Sequence, residues 1–353
     1  MRTNLLLSTA VVALLGATSA FAGSNTVYFT QTDSGQNAQI NQTGGFNTIG
    51  YSWRPFIQQN GGLSGQNALT INQSGSNNWV ARDAQGYQSG TQNNAAINQS
   101  GNGNDIELQQ SGTQNGYGYV AYNNGGAYNS IVQDGTATSS KVSVVQNGYR
   151  NGFDVLQGGL NNNTSLNQSG NGGVAYVRQG TWGGDQSTGR VIGPGSNNSI
   201  AINQTTGTAS GVIALQGSGD GNSMNIGQSG DQLYVNAYQQ GFANQISSTQ
   251  AGVFSNASIV QVGNNNNVQS YQGNYALATL TQTGNGNQIY GTQINGVGGY
   301  QNVATVTQNG SNNYANYGQD GYANNINLSQ TNDGNISVTA QNGVGNVLNI
   351  VQN

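Results

Sequence analysis

The sequence predicts an all-β chain wound as a two-sheet parallel β-solenoid of stacked 22-residue strand-turn-strand-turn rungs, and three observations near residue 300 and beyond carry that prediction. Glutamines recur every eleven residues at Gln308, Gln319, Gln330, Gln341 and Gln352, each preceded six residues earlier by an asparagine: Asn302, Asn313, Asn324, Asn335 and Asn346. Between each Asn and Gln the alternate positions are mostly apolar, as in Asn324-Ile326-Leu328-Gln330 and Asn346-Leu348-Ile350-Gln352. Strict period-two alternation over seven residues marks a strand with one buried face. The half-units also alternate in character: those starting at Asn302, Asn324 and Asn346 are aliphatic, whereas Asn313-Ala315-Tyr317-Gln319 and Asn335-Ser337-Thr339-Gln341 are more polar. Two half-units therefore make one rung.

Each half-unit is justified by its parity. The amides fall on the same side as Ile, Leu and Val, so they point inward, where an unpartnered amide costs about 1 to 3 kcal/mol. Stacking identical strands at ~4.8 Å removes that cost, because each amide donates to one neighbour and accepts from the other. The expected inward ladder thus includes, besides the residues above, Gln73, Gln99, Gln110, Gln146, Gln168, Gln204, Gln228, Gln261 and Gln282. The four-residue links, usually with Gly second, as at Gly310, Gly321 and Gly343, are turns.

In chain order, residues 1–22 read as a secretory signal peptide: Arg2, an apolar run from Leu5 to Leu15, and the small-residue end Ala20-Phe21-Ala22. The repeat is expected from residue 23 to 353, with Gln36-Ala38-Ile40-Gln42 as its first recognisable strand. Two stretches, 43–65 and 181–196, break the spacing and hold both prolines, Trp53 and Trp182; they are expected to leave the stack as surface loops. Continuing the alternation through 77–85 would turn Asp83 inward, so a register shift or an opening to water is expected there. From Asn198 onward the strands run almost unbroken, for about a dozen rungs in all.

At this point the residues resemble the curlin repeat of bacterial curli subunits, Q-x-G-x-G-N-x-A-x-V-x-Q. Gln341, Gly343, Gly345, Asn346, Leu348, Ile350 and Gln352 follow it, as do Gln99, Gly101, Gly103, Asn104, Ile106, Leu108 and Gln110. A third copy, Gln282 to Gln293, has Gly291 at the Val position. The resemblance implies an amyloid-like, extracellular β-solenoid subunit of cell-surface fibres in biofilm matrix and adhesion. It also implies a minor nucleator subunit and an outer-membrane secretion channel as partners.

Composition excludes other functions. Only 5% of residues are charged, 56 are Gly, and there is no Cys or His. Disulfides, thiol or imidazole catalysis and Cys/His metal sites are therefore absent, and no catalytic residue or cofactor is expected. The single Glu and the Asp residues are scattered, and the few basic residues do not form a nucleic-acid footprint or point to a small-molecule substrate. Disorder is the plain alternative for so polar a chain, but it has no reason to hold register. Ser100 to Asp105 is superficially similar to a calcium nonapeptide, yet it lacks the first Gly and does not recur every nine residues. Asp134, Asp220, Asp320 and Asp333 read as turn formers. The strand from Asn346, with Leu348 and Ile350 inward and no charge or Pro, is the expected assembly edge. Self-association into a fibre is expected; the competing reading is a monomeric secreted β-solenoid adhesin.

Overall fold

The computed structural model describes residues 24–32, 36–58, 67–122, 128–180, 183–185, 190–192 and 195–353. The expected leader at 1–22, Trp182, Pro194 and residues 59–65 of the first insertion lie outside them. The described residues are all β, without a helix, and form one parallel coil. Alternate half-units feed two facing sheets. One sheet, called here sheet 2, has 13 strands running from Asn37–Gly45 to Ile336–Val344. The other, sheet 1, starts at Thr26–Val27 and Phe29–Gln31 and ends at Val347–Gln352. At ~4.8 Å per strand the stack is roughly 60 Å tall.

Register is kept because parity is kept. Ile326 pairs with Ala304 on one side and Leu348 on the other, Leu328 with Val306 and Ile350, and Gln330 with Gln308 and Gln352. A slip of one residue would turn every inward amide and aliphatic to solvent. The inward aliphatics make a single continuous core between the sheets, from Ile40 and Ile49 to Ile326 and Leu328, all buried. Leu348 and Ile350 pack against that core but are only partly buried, since their strand is the last of the described stack.

The turns explain the glycine spacing. At Gly230 the backbone takes φ 135°, and a Cβ there would sit 1.8 Å from the carbonyl oxygen of Gly252 one rung on. Only glycine meets both conditions. The link residue just before the Asn also adopts a left-handed conformation, at Ala243, Asn265, Asn312 and Ala323 among others, where no glycine announces it.

The first insertion is narrower than expected. Asn37–Gly45, Thr48–Ile49 and Phe56–Gln58 all belong to the sheets, with Asn47, Ile49, Phe56 and Gln58 fully buried. Among the described residues of this insertion, 50–55 leave the coil, closed by a two-residue bridge between Tyr51 and Arg54. The chain satisfies Pro55, which has no N–H for a ladder, by placing it between strands rather than in one. One rung on, residues 81–86 make a second excursion between Trp79–Val80 and Tyr87–Gln88. That excursion leaves Asp83 exposed and returns Gln88 to the buried face. In the second insertion, Gly183–Asp185 and Arg190–Ile192 form a separate antiparallel pair, while Gly195–Ser196 pairs with Gly219–Asp220. A further half-unit precedes the expected first strand: Val27, Phe29 and Gln31 stand in register with Ile49, Phe56 and Gln58.

Candidate assembly surface

The inward glutamines form two axial ladders. On sheet 1 each Nε2 donates to the Oε1 one rung on, from Gln31 to Gln58 at 2.7 Å, Gln58 to Gln88 at 2.8 Å and Gln88 to Gln110 at 2.9 Å. The same bond continues through Gln133, Gln157, Gln179, Gln216, Gln239, Gln261, Gln282, Gln308 and Gln330 to Gln352. On sheet 2 the ladder runs from Gln42 through Gln73 to Gln99. There it stops, because Ala121 occupies the register position between Gln99 and Gln146. It resumes at Gln146 and passes Gln168, Gln204, Gln228, Gln250, Gln272, Gln293 and Gln319 to Gln341. The second N–H of most of these glutamines crosses to the facing sheet. Gln261 donates to the Gln245 carbonyl at 2.9 Å, and Gln330 to the Tyr314 carbonyl at 3.0 Å.

The asparagines bond amide to amide at some rungs, as Asn346 Nδ2 does to Asn324 Oδ1 at 2.8 Å and Asn266 Nδ2 to Asn244 Oδ1 at 3.1 Å, and they add contacts to the turns. Asn324 Oδ1 accepts the backbone N–H of Asn346 at 3.1 Å, and its Nδ2 donates to the carbonyls of Asp320 and Gly343. Asn302 does the same with the N–H of Asn324 and the carbonyls of Ile294 and Gly321. Asn313 Oδ1 takes the Asn335 N–H at 2.9 Å, and Asn335 Nδ2 reaches the Thr331 carbonyl at 2.7 Å. A short side chain at the mouth of a turn reaches turn carbonyls as well as the next amide, so asparagine closes turns in addition to linking rungs.

Both ends of the described stack are open, and they are complementary. Gln341 and Gln352 each accept from below and donate across to Asn325 and Ile336 carbonyls, with one N–H left over. Gln31 and Gln42 donate upward and, among the described residues, receive nothing at Oε1. One end therefore offers donors where the other offers acceptors. The backbone edge is open too: the Asn325 N–H points up to the Asn346 carbonyl, so by strand alternation the N–H groups of Val347, Asn349 and Val351 face away from the stack. Outward side chains at this end are apolar, with Ile336 67%, Val338 70%, Val347 67% and Val351 71% exposed. One rung below, the equivalents of Val347 and Val351 are Asn325 and Ser329.

Charge is concentrated elsewhere, beside the two excursions. Glu107 faces outward from its strand yet is buried, and it accepts the Asp83 backbone N–H. Arg54 donates to the Asp83 carbonyl at 2.8 Å, and Arg82 lies 3.6 Å from Asp105. Burial, then the neighbouring Glu107, pushes the Asp105 carboxyl up to about 7, against the pull of Arg82. Burial raises Glu107 as well. Tyr51, Trp53 and Trp79 stack over this corner with Arg54 above Trp53. Charge patterning alone did not reveal this cluster, because Arg54, Asp83 and Asp105 are far apart in sequence and meet only through the rung spacing.

Compared with known protein families, residues 87–112 match the curlin associated repeat. No match was found among curated proteins. The matched segment covers Tyr87–Gln88, the sheet 2 strand Asn94–Ser100 and the sheet 1 strand Asp105–Gln110, one rung of the coil and its continuation. That rung is stacked in register with its neighbours and repeats their amide bonding, so the match to the curlin associated repeat at residues 87–112 supports assigning the chain to the curlin family.

Proposed function

We propose that this protein is a structural subunit of extracellular, curli-like amyloid fibres, contributing to biofilm matrix and surface adhesion and assembling by the stacking of end rungs. The observation that supports this reading most is the complementarity of the two described ends, undonated N–H groups on Gln341 and Gln352 against unfilled acceptors on Gln31 and Gln42. Each hydrogen bond completed across such a junction contributes on the order of 1 kcal/mol, and burying Leu348 and Ile350 adds an apolar term. Head-to-tail contacts of this kind do not close on themselves and generate filaments. The reading includes export through an outer-membrane channel, aided by the leader at 1–22, and a minor nucleator as partner. It assigns no catalytic role.

Two substitutions test it. Leu348→Lys with Ile350→Lys places charge in the junction, and Asn349→Pro removes an N–H that faces the open edge, a site where proline leaves the subunit's own ladder intact. Both should lengthen the lag of fibre formation several-fold in a thioflavin assay. Wild-type kinetics for both variants at matched concentration would mean that growth does not use this edge.

A further inference from the structure

The two sheets of this coil are built by one repeated step. On sheet 1, Gln261, Gln330 and Gln352 donate across to the carbonyls of Gln245, Tyr314 and Ile336, each sixteen residues back. On sheet 2, Gln250, Gln319 and Gln341 donate to Tyr234, Val303 and Asn325, again sixteen residues back. The chain thus climbs equally at both corners. Passing from one half-unit to the next is the same operation everywhere: a half-turn about the stack axis with half a rung of rise.

The first and last described half-units both lie in sheet 1, so the described stack holds an odd number of half-units. Beyond Val347–Gln352 the next position is consequently over Ile336–Val344, on sheet 2. We infer that consecutive subunits in the fibre are related by a half-turn, so that sheet 1 of one copy continues as sheet 2 of the next; this rests on the end-stacking reading above. The incoming Thr26–Gln31 segment then sits on Ile336–Gln341, and the incoming Asn37–Gln42 segment on Val347–Gln352.

Two independent features agree with this arrangement over an unrotated one. The polar groups match in kind: Gln341 donates to the incoming Gln31, Gln352 donates to the incoming Gln42, and the incoming Gln31 finds the Val347 carbonyl at the position that Ile336 fills for Gln352. The outward apolar residues also gain neighbours. Val338, 70% exposed, comes beside Tyr28 of the next copy, and Ile336 beside Thr26. Without rotation, Thr26–Gln31 would sit on Val347–Gln352, one strand position on sheet 2 would stay empty, and Ile336 and Val338 would remain uncovered over a row of unpaired backbone groups.

The chain has no cysteine, so single labels are specific. Fibres are grown from equal mixtures of spin-labelled Tyr28→Cys protein with either labelled Val338→Cys or labelled Asn349→Cys protein. All three positions face outward. The half-turn places labels 28 and 338 on adjacent strands, about 5 Å apart in backbone, and 28 and 349 on opposite faces separated by at least the ~10 Å between sheets. Strong spin-exchange broadening is expected for the 28/338 mixture and none for the 28/349 mixture. The reverse pattern, or broadening in neither, overturns the half-turn while leaving end stacking standing. Absence of fibres from the unlabelled full chain overturns end stacking itself, and the half-turn with it.

Discussion

A buried glutamine in this coil is satisfied on three sides at once. Gln261 accepts from Gln239 at 2.8 Å, donates to Gln282 at 2.8 Å and donates to the Gln245 carbonyl at 2.9 Å. Replacing it with leucine keeps most of the volume but strands an N–H of Gln239 and the Oε1 of Gln282 in a dry interior. Gln261→Leu should lower unfolding stability by about 1 to 3 kcal/mol, read as a lower denaturant midpoint at unchanged slope; an unchanged midpoint would mean that the ladder adds nothing. Gly291 illustrates a different constraint. It takes an inward position normally held by an aliphatic, and a Cβ there would lie 2.2 Å from the ring of Tyr317, which is paired with it one rung on and buried. Gly291→Val therefore overpacks the core and should cost about 1 to 3 kcal/mol. Combining it with Tyr317→Val should recover part of the loss in the same titration, and failure to recover would place the strain elsewhere. The glycine was legible as a departure from the repeat, and Tyr317 as an inward tyrosine. That the two compensate was not, because they lie 26 residues apart and only the register joins them.

At the scale of the strand, legibility depended on continuity. Alternation over seven unbroken residues located most of the strands from residue 198 onward, where most links are short. It missed the half-units that a loop splits in two: Asn47-Ile49 resumes at Phe56-Gln58, and Asn78-Val80 at Gly86-Gln88, each half too short to stand out from background. The two excursions lie side by side and are held by charges, which makes this corner sensitive to proton uptake. Burial first, then Glu107, pushes the Asp105 carboxyl up to about 7 in the fold, against the pull of Arg82 and with a further push from Asp83; its ordinary value when unfolded is about 4. Between about pH 4 and about pH 7 the folded carboxyl keeps a proton that the unfolded chain has released, so stability falls as pH rises through this window and levels off above it. Amide protection factors in residues 81–86 should accordingly be higher at pH 5 than at pH 8, and Asp105→Asn should flatten the difference. Equal protection at both pH values in the parent protein would contradict the assignment.

Across the whole molecule, the same bonds that close one rung onto the next are left unfilled at both described ends. In the proposed reading, stability and polymerisation draw on one interaction, repeated, and the fibre would be the coil continued between copies. The coil and its inward face followed from the sequence because every half-unit repeats the same instruction, whereas the proposed relation between copies rests on the parity of the strand count, which only the placed strands of the first rungs reveal. X-ray diffraction from aligned assemblies of the full chain tests this most directly. Continuation predicts a sharp meridional reflection at ~4.8 Å with an equatorial one near ~10 Å, the strands lying across the fibre axis. A chain that stays in the supernatant as monomer, or fibres whose 4.8 Å spacing lies perpendicular to their axis, would contradict it.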